Sequence, residues 1–382
     1  MSARELPLLF AIFLDLVGFG MAFPDIQLRA EAFGAPGWII GGLLSSYFLV
    51  QMVASPKWGL LSDRIGRKPV LLICHGLSAL SMLAYAYSHG LWGILGSRVL
   101  AGFAAANVVV AQAYIADTLD EKTRAAGMGR VGAAISAGLI AGPAIGGWLA
   151  EAGGNYLLGM VAAGAAGFGL LWIAIGVPHR PPTEERRPGK RPAVDLSILR
   201  DVPQLPRLFT IAAAAWFALA CLEGTFGRLI KHNLGYGQWE FGLIFSYESA
   251  LAVLVQAFLL SWVLKRIKQR SLLRLAYALQ GVGLAMTPFA PSLAVLFMVS
   301  TLFAVGAGFA NPMINTLCSE ATPANRQGEM FGLLQATRSL GFLVGPTLGG
   351  IIFDWNVAAP YLLAGGVCLA ALTLVRPEKA SA

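Results

Sequence analysis

An all-α integral membrane protein with twelve transmembrane helices is the fold class this sequence predicts, and three observations carry the prediction. Of its 382 residues, 57% are hydrophobic and 13% charged, with a mean hydropathy of +0.67; soluble domains run near half apolar and a quarter charged. The apolar residues fall into runs of about 20, the length a helix needs to cross the hydrocarbon of a bilayer. Lysine and arginine concentrate in every second connection between those runs, the bias that marks cytoplasmic loops.

The first run, 5–27, is long enough to span and carries an internal acid, Asp15, so it reads as a membrane helix and not as a cleaved signal peptide. The second, 38–60, ends in the most informative segment of the chain, Gly59 to Leu72, which sets cations, one acid and two glycines between two apolar runs. The third and fourth, 69–88 and 91–115, are separated by His89, and the fifth, 126–150, follows Lys122 and Arg124. Glu151 stands between the fifth and the sixth, 154–177. The seventh, 206–231, follows a long polar break, and the eighth, 238–264, runs into Lys265, Arg266, Lys268, Arg270 and Arg274 around the start of the ninth, 272–289. The tenth, 292–317, follows a connection without cations; Asp354 divides the eleventh, 328–352, from the twelfth, 357–375.

The basic connections are 2–3 (Arg64, Arg67, Lys68), 4–5, 6–7 (Arg180, Arg186, Arg187, Lys190, Arg191, Arg200, Arg207) and 8–9. Placing them inside the cell predicts a multi-pass protein of the bacterial inner (plasma) membrane with both termini cytoplasmic, Arg4 at one end and Arg376 and Lys379 at the other. Arg29 and Lys231 are exceptions. The net charge of +8 is then a topology signal and not a nucleic-acid surface.

Residues 178–205 are proline-rich and charged, a composition that cannot bury enough apolar surface to fold alone. They read as a cytoplasmic linker between two six-helix bundles, 1–177 and 206–382. The bundles look like copies: Gly142-Pro143-Ala144-Ile145-Gly146-Gly147 recurs 203 positions later as Gly345-Pro346-Thr347-Leu348-Gly349-Gly350, and at the same offset Asp117 matches Glu320. Parallel repeats of this kind predict a central cavity between the bundles and alternating access by rocking.

Cys74, Cys221, Cys318 and Cys368 lie in apolar runs without close spacing and read as packing residues; the four histidines are scattered, so no metal site is expected. No Gly-x-x-x-x-Gly-Lys-[Ser/Thr] loop and no catalytic constellation occurs, which argues against direct use of ATP, against an enzyme and against any cofactor.

Three motifs together resemble the major facilitator superfamily, in its twelve-helix drug:proton antiporter type, and are similar in particular to tetracycline and multidrug efflux proteins. They are Gly59 to Leu72, Ser97-Arg98-Val99-Leu100-Ala101-Gly102, and Gly138-Leu139-Ile140-Ala141-Gly142 continuing to Gly147. A weaker fourth is Leu14-Asp15-Leu16-Val17-Gly18-Phe19-Gly20 with Phe23-Pro24, where Gln27 departs from a proline common in the family. The resemblance implies an exporter of a small lipophilic or amphipathic compound that exchanges it for protons, acting as a monomer in the lipid bilayer. A uniporter or proton symporter for a metabolite, nutrient or lysolipid keeps the same fold and loop and is the alternative; a non-transporting receptor or scaffold is the outside option.

Site residues follow from the motifs and from buried charge, because an ionised side chain at mid-bilayer costs at least about 2.5–3.5 kcal/mol and faces a cavity or a partner. Asp15 is the first choice for a proton or substrate-cation site, and the family assigns the arginine at Arg98 to proton coupling, with neutralisation of Asp15 as its structural alternative. Glu223, Arg228 and Glu248 form the second-half set, with an Arg228–Glu248 ion pair as the default for the latter two. Gln51, Asn107, Gln112, Gln256, Asn311, Asn315 and Gln335 are polar candidates for the cavity or for bridging helices. In the loop, Gly59 allows close helix approach and Asp63 pairs with an arginine; the resemblance implies that these residues with Arg64, Gly66, Arg67 and Lys68 form a cytoplasmic gate partnered by Asp117 and Arg124. Gly138, Gly142, Gly146 and Gly147 present a bare helix face and Pro143 permits a bend. Arg130 and Arg338 are expected to snorkel to the cytoplasmic surface.

Overall fold

A computed structural model describes residues 5–178, 197–323 and 326–375, and the cations Arg4, Arg180, Arg186, Arg187, Lys190, Arg191, Arg376 and Lys379 lie outside them. The described chain is helical almost throughout. Its elements are α1 (Leu6–Ala32), α2 (Gly37–Ile65), α3 (Arg67–Ala86), α4 (Leu91–Ala104), α5 (Asn107–Thr118), α6 (Glu121–Gly176), α7 (Ile198–Asp201), α8 (Leu205–Leu234), α9 (Gln238–Leu254), α10 (Leu260–Leu264), α11 (Gln269–Met286), α12 (Leu293–Ala321), α13 (Gln327–Trp355) and α14 (Ala359–Leu374). Nine helices among the described residues are long and apolar enough to cross a membrane. The predicted twelve spans are recovered because α6 holds two, and the polar α11 and the 16-residue α14 supply the ninth and twelfth.

Local chemistry explains the breaks. α6 passes from the fifth span to the sixth at Gly153 (φ −152°, ψ 17°) and Gly154 (φ 65°, ψ −166°), a turn whose positive φ at Gly154 a residue with a Cβ rarely adopts. The fourth span is divided into α4 and α5 by a slack turn at Ala105 and Ala106. Between α9 and α10 the helix widens to a π turn over Val255–Leu259. Pro7, Pro206 and Pro360 sit in the first turns of α1, α8 and α14, where the missing N–H has no helical partner to lose.

The described residues form two units: 5–35, 43–178 and 236–246 in the first, and 36–42, 197–235, 247–323 and 326–375 in the second. In the first unit α1 lies against α6 along the predicted glycines. A Cβ on Gly138 would stand 2.6 Å from Leu16 Cβ, one on Gly142 2.7 Å from the Val17 carbonyl, and one on Gly146 against the Met21 backbone. Lipid gives no hydrophobic reward for helix association, so such bare faces supply the van der Waals contact that does. In the second unit α8 lies against α13 in the same way, through Gly341, Gly345 and Gly349 on Trp216, Phe217 and Cys221. Pro143 keeps helical φ/ψ; the departures inside α6 are Gly153 and Gly154. All four cysteines are buried and free, Cys74 within the cluster of Leu8, Ile12, Val70 and Tyr114.

Several expectations are corrected. α1 and α2 run to Ala32 and Ile65, about a turn beyond the hydropathy edges, because a helix does not stop where the apolar residues do. A Cβ on Gly59 meets open space among the described residues, so that glycine permits no close approach. Arg130 pairs with the buried Glu5 at 2.5 Å, tying the start of the fifth span to the residue before α1. The described part of the linker, α7, is held to the start of α13 by Arg326, which bonds Asp201 at 2.5 Å and Ser197 at 2.8 Å.

Candidate functional site

Three clusters of polar side chains stand out in this apolar background. The first lies at the turn from α2 to α3. Gly66 (φ 96°) takes the left-handed backbone that reverses the chain, and the next residue, Arg67, starts α3. From there Arg67 reaches Asp63 at 2.6 Å, Asp117 on α5 at 3.0 Å and the Ser62 hydroxyl at 2.5 Å. One guanidinium thus holds two carboxylates from two helices, the fork geometry lysine cannot reproduce. Lys68 donates to the Ala174 carbonyl at 2.7 Å, at the last turn of α6. Arg64 and Arg124 are exposed and stand outside the cluster.

The second cluster runs along α1. Asp15 accepts hydrogen bonds from Ser78 on α3 at 2.5 Å and from Asn107, the first residue of α5, at 2.6 Å. The break at Ala105 and Ala106 is what presents Asn107 to it. Ten residues on, roughly 15 Å along the helix, Asp25 is 3% exposed and accepts from the Tyr85 hydroxyl and the Gln238 amide. Arg98 is 2% exposed, its guanidinium 5.4 Å from the Tyr85 ring centre, and its Nε and one terminal nitrogen have no hydrogen-bond partner among the described residues. The acid within its electrostatic reach is Asp25. No hydrogen bond or ion pair joins Arg98 to Asp15 among the described residues. Arg29 stacks on the other aromatic contacts of the group, 5.2 Å from Tyr85 and 5.6 Å from Phe33, and donates to the Tyr85 carbonyl at 3.2 Å and to that of Ser88. Its departure from the loop-charge pattern is explained: it belongs to this interior cluster.

The third cluster is in the second unit. Glu223 on α8 lies within electrostatic reach of Arg338 on α13 and of Glu248 on α9, and Ser300 on α12 hydrogen-bonds Glu248. Arg338 is exposed and stacks 4.4 Å over Trp216 and 5.8 Å over Phe342. The hydroxyls of Tyr247 and Thr301, the sequence neighbours of Glu248 and Ser300, bond at 2.7 Å. The pairing expected between Arg228 and Glu248 is replaced: Arg228 bonds Asp354 at 2.9 Å and stacks 4.4 Å over Phe353. Asp354 also accepts the Gly37 amide at 2.6 Å.

Sequence reasoning missed Asp25, Tyr85, Arg29, Arg338 and Asp354 as members of these clusters. The signals were present: an acid beside Pro24 inside the first run, and an arginine out of place in the loop-charge pattern. The remaining polar candidates behave differently from Asn107. Among the described residues the side chains of Gln51, Gln112, Gln256, Asn311, Asn315 and Gln335 make no hydrogen bond, and all are at least partly exposed. No group of three or more metal-ligating side chains occurs among the described residues.

The family model of the Major Facilitator Superfamily matches residues 8–341 and 208–382. A quinolone resistance protein, NorA, of Staphylococcus aureus (strain MRSA252) is 26% identical over 99% of this chain and 97% of its own. Multidrug resistance protein 2 of Bacillus subtilis (strain 168) is 27% identical over 97% of this chain and 94% of its own. Among solved structures, the nucleoside transporter NupG superposes with a TM-score of 0.79 at 14% identity, covering 99% of this chain and 100% of that one. The human organic anion transporter MFSD10 superposes with a TM-score of 0.68 at 22% identity, covering 98% and 99%.

Proposed function

The chain belongs to the Major Facilitator Superfamily, and from that premise we propose that it is a secondary active exporter of small lipophilic or amphipathic compounds, driven by proton entry through alternating access. It works as a monomer in a bacterial plasma membrane, with both termini on the cytoplasmic side. Relatives named for quinolone and multidrug resistance, aligned over nearly the whole of both chains, support the substrate class.

The observation that carries proton coupling is the Arg98–Tyr85–Asp25 group. A guanidinium with two unbonded nitrogens at 2% exposure is costly in a bilayer, and Asp25 is the acid near enough to offset it. Protonating Asp25 removes that offset and raises the cost of the charged Arg98; deprotonating it restores the offset. A substrate that favours one of these states is bound or released as the proton moves, which is the differential affinity that exchange requires. Asp15, held by Ser78 and Asn107, and Glu223, beside Arg338, are the further acids on which protons and a cationic or amphipathic substrate compete. Arg67, bracketed by Asp63 and Asp117, holds the cytoplasmic gate.

Flux into proteoliposomes under an imposed pH gradient tests the reading. Wild-type protein is expected to move a fluorescent lipophilic cation against the proton flow, and Asp25→Asn and Arg98→Lys to fold but lose the gradient-driven component. Transport in the same direction as protons, or gradient-driven transport undiminished in both variants, overturns it. The same direction of flux separates exchange from symport of a metabolite.

A further inference from the structure

The second unit carries a cavity of about 230 Å³ at the end bearing the basic 8–9 connection, lined by Gln204, Arg207, Leu208, Arg270, Leu317 and Glu320 among others. A water's share of liquid volume is about 30 Å³, so the space admits a group several times larger than a solvent molecule. The two units make the cavity informative, because the same sequence frame occurs in both. Glu5-Leu6-Pro7-Leu8-Leu9-Phe10 opens the first and Gln204-Leu205-Pro206-Arg207-Leu208-Phe209 the corresponding helix of the second. Leu8 is fully buried in the apolar core of its unit, whereas its counterpart is Arg207, which faces the cavity.

The facing wall differs in the same sense. Lys68 of the first unit is tied to the Ala174 carbonyl at 2.7 Å, and its counterpart 202 positions on, Arg270, has no hydrogen-bond or ion-pair partner among the described residues. Arg67 bonds Asp117 in the first unit; in the second, Gln269 bonds Glu320 at 3.1 Å. The second unit has thus exchanged a buried leucine for an arginine and left another arginine unengaged, around a hollow walled by leucines. α8 and α11 begin at this cavity while α12 and α14 end there, so helix dipoles largely offset one another and the side chains set the sign. Among the described lining residues the charged side chains are Arg207, Arg270 and Glu320.

We propose that this cavity binds the phosphate of an anionic glycerophospholipid from the adjacent leaflet, with Arg207 and Arg270 on the phosphate and Leu208, Leu273 and Leu317 along the first part of an acyl chain. Arginine suits phosphate by its forked donors, and basic pockets between membrane helices take anionic headgroups. The site is independent of the transported compound and would tune the carrier by membrane composition.

Native mass spectrometry of the full-length protein, equilibrated with phosphatidylglycerol, phosphatidylcholine or inorganic phosphate, tests it. Phosphatidylglycerol is expected to be retained in preference to phosphatidylcholine, and retention to fall about fivefold in Arg270→Gln and more than about tenfold when Arg207→Gln is added. Arg266→Gln removes the same charge from a side chain that stacks on Trp262 outside the cavity, and should leave retention unchanged. Glu320→Gln should raise retention, which tests the proposal with the opposite sign if an arginine variant fails to fold. Equal retention of both lipids, equal loss in Arg266→Gln and Arg270→Gln, no gain in Glu320→Gln, or displacement of the lipid by millimolar inorganic phosphate overturns a lipid site; the last outcome marks a site for free phosphate instead.

Discussion

Glu151 and Asp354, 203 positions apart, do the same task at the same place in their repeats. Each stands four residues after the last glycine of a Gly-Pro-x-x-Gly-Gly run and accepts a backbone amide at the start of another helix, Trp239 at 3.3 Å and Gly37 at 2.6 Å. The glycine in each run makes room for it: a Cβ on Gly147 would collide with the Gln238 carbonyl, and one on Gly350 with that of Gly37. The first amides of a helix have no partner within it, so a carboxylate there both satisfies a donor and meets the positive end of the dipole.

Asp354→Ala should therefore cost more than Asp354→Asn. The alanine removes the cap, about 1–2 kcal/mol, and strips the buried Arg228 of its partner, while asparagine keeps an acceptor for Gly37. Thermal unfolding in detergent should rank wild type above Asn and Asn above Ala; a midpoint for Ala equal to wild type would contradict the capping role.

The glycines of α6 divide into two kinds. Gly142→Ala and Gly146→Ala push a methyl into the α1 backbone and should destabilise by about 1–3 kcal/mol. Gly132 and Gly164 face open space among the described residues, and alanine there should stabilise by about 0.5–1 kcal/mol. Opposite shifts of the unfolding midpoint are the expected result.

At the α2–α3 turn, charge alone is not the operative property. Arg67→Lys and Arg67→Ala should both lower transport roughly tenfold, since each loses at least one charge-assisted bond. Arg64→Ala, an exposed neighbour, should stay within about twofold. Initial rates of dye efflux from cells expressing matched amounts of protein distinguish a forked contact from a general need for basic residues.

Asp15 and Asn107 form a unit that can be split. Asp15→Asn should abolish transport driven by a pH gradient with little loss of folded protein, because an amide can keep one of the two hydrogen bonds. Asn107→Leu should retain gradient-driven flux with a shifted pH profile. If both variants behave like wild type, Asp15 is only a helix-bridging residue.

Much of the architecture was legible because a bilayer imposes it: twelve runs and alternating basic loops leave few other folds, the Gly59–Leu72 pattern pointed Asp63 to an arginine, and the family resemblance added Asp117. What stayed hidden had a common cause. Hydropathy treats an acid near a span edge as loop margin and a tyrosine as apolar filler, so Asp25 and Tyr85 drew no notice although they meet in the structure. The stacking of Arg338 on Trp216 leaves no signal in the sequence, where the two stand far apart. Gly59 was misjudged for the opposite reason, since a glycine's neighbours cannot be inferred from the glycine.

The widened turn at Val255–Leu259 holds one residue more than a regular helix needs. A π turn takes one extra residue into its wider ring, so Leu260 to Lys265 keep nearly the direction, relative to Glu248, that a regular helix one residue shorter would give them. Rewinding the turn as α without removing a residue would leave the span nearly as long and just as greasy, yet swing its basic end about a quarter of the way round, at about 100° per residue. The carrier's orientation of its own charges is thus written partly as a count.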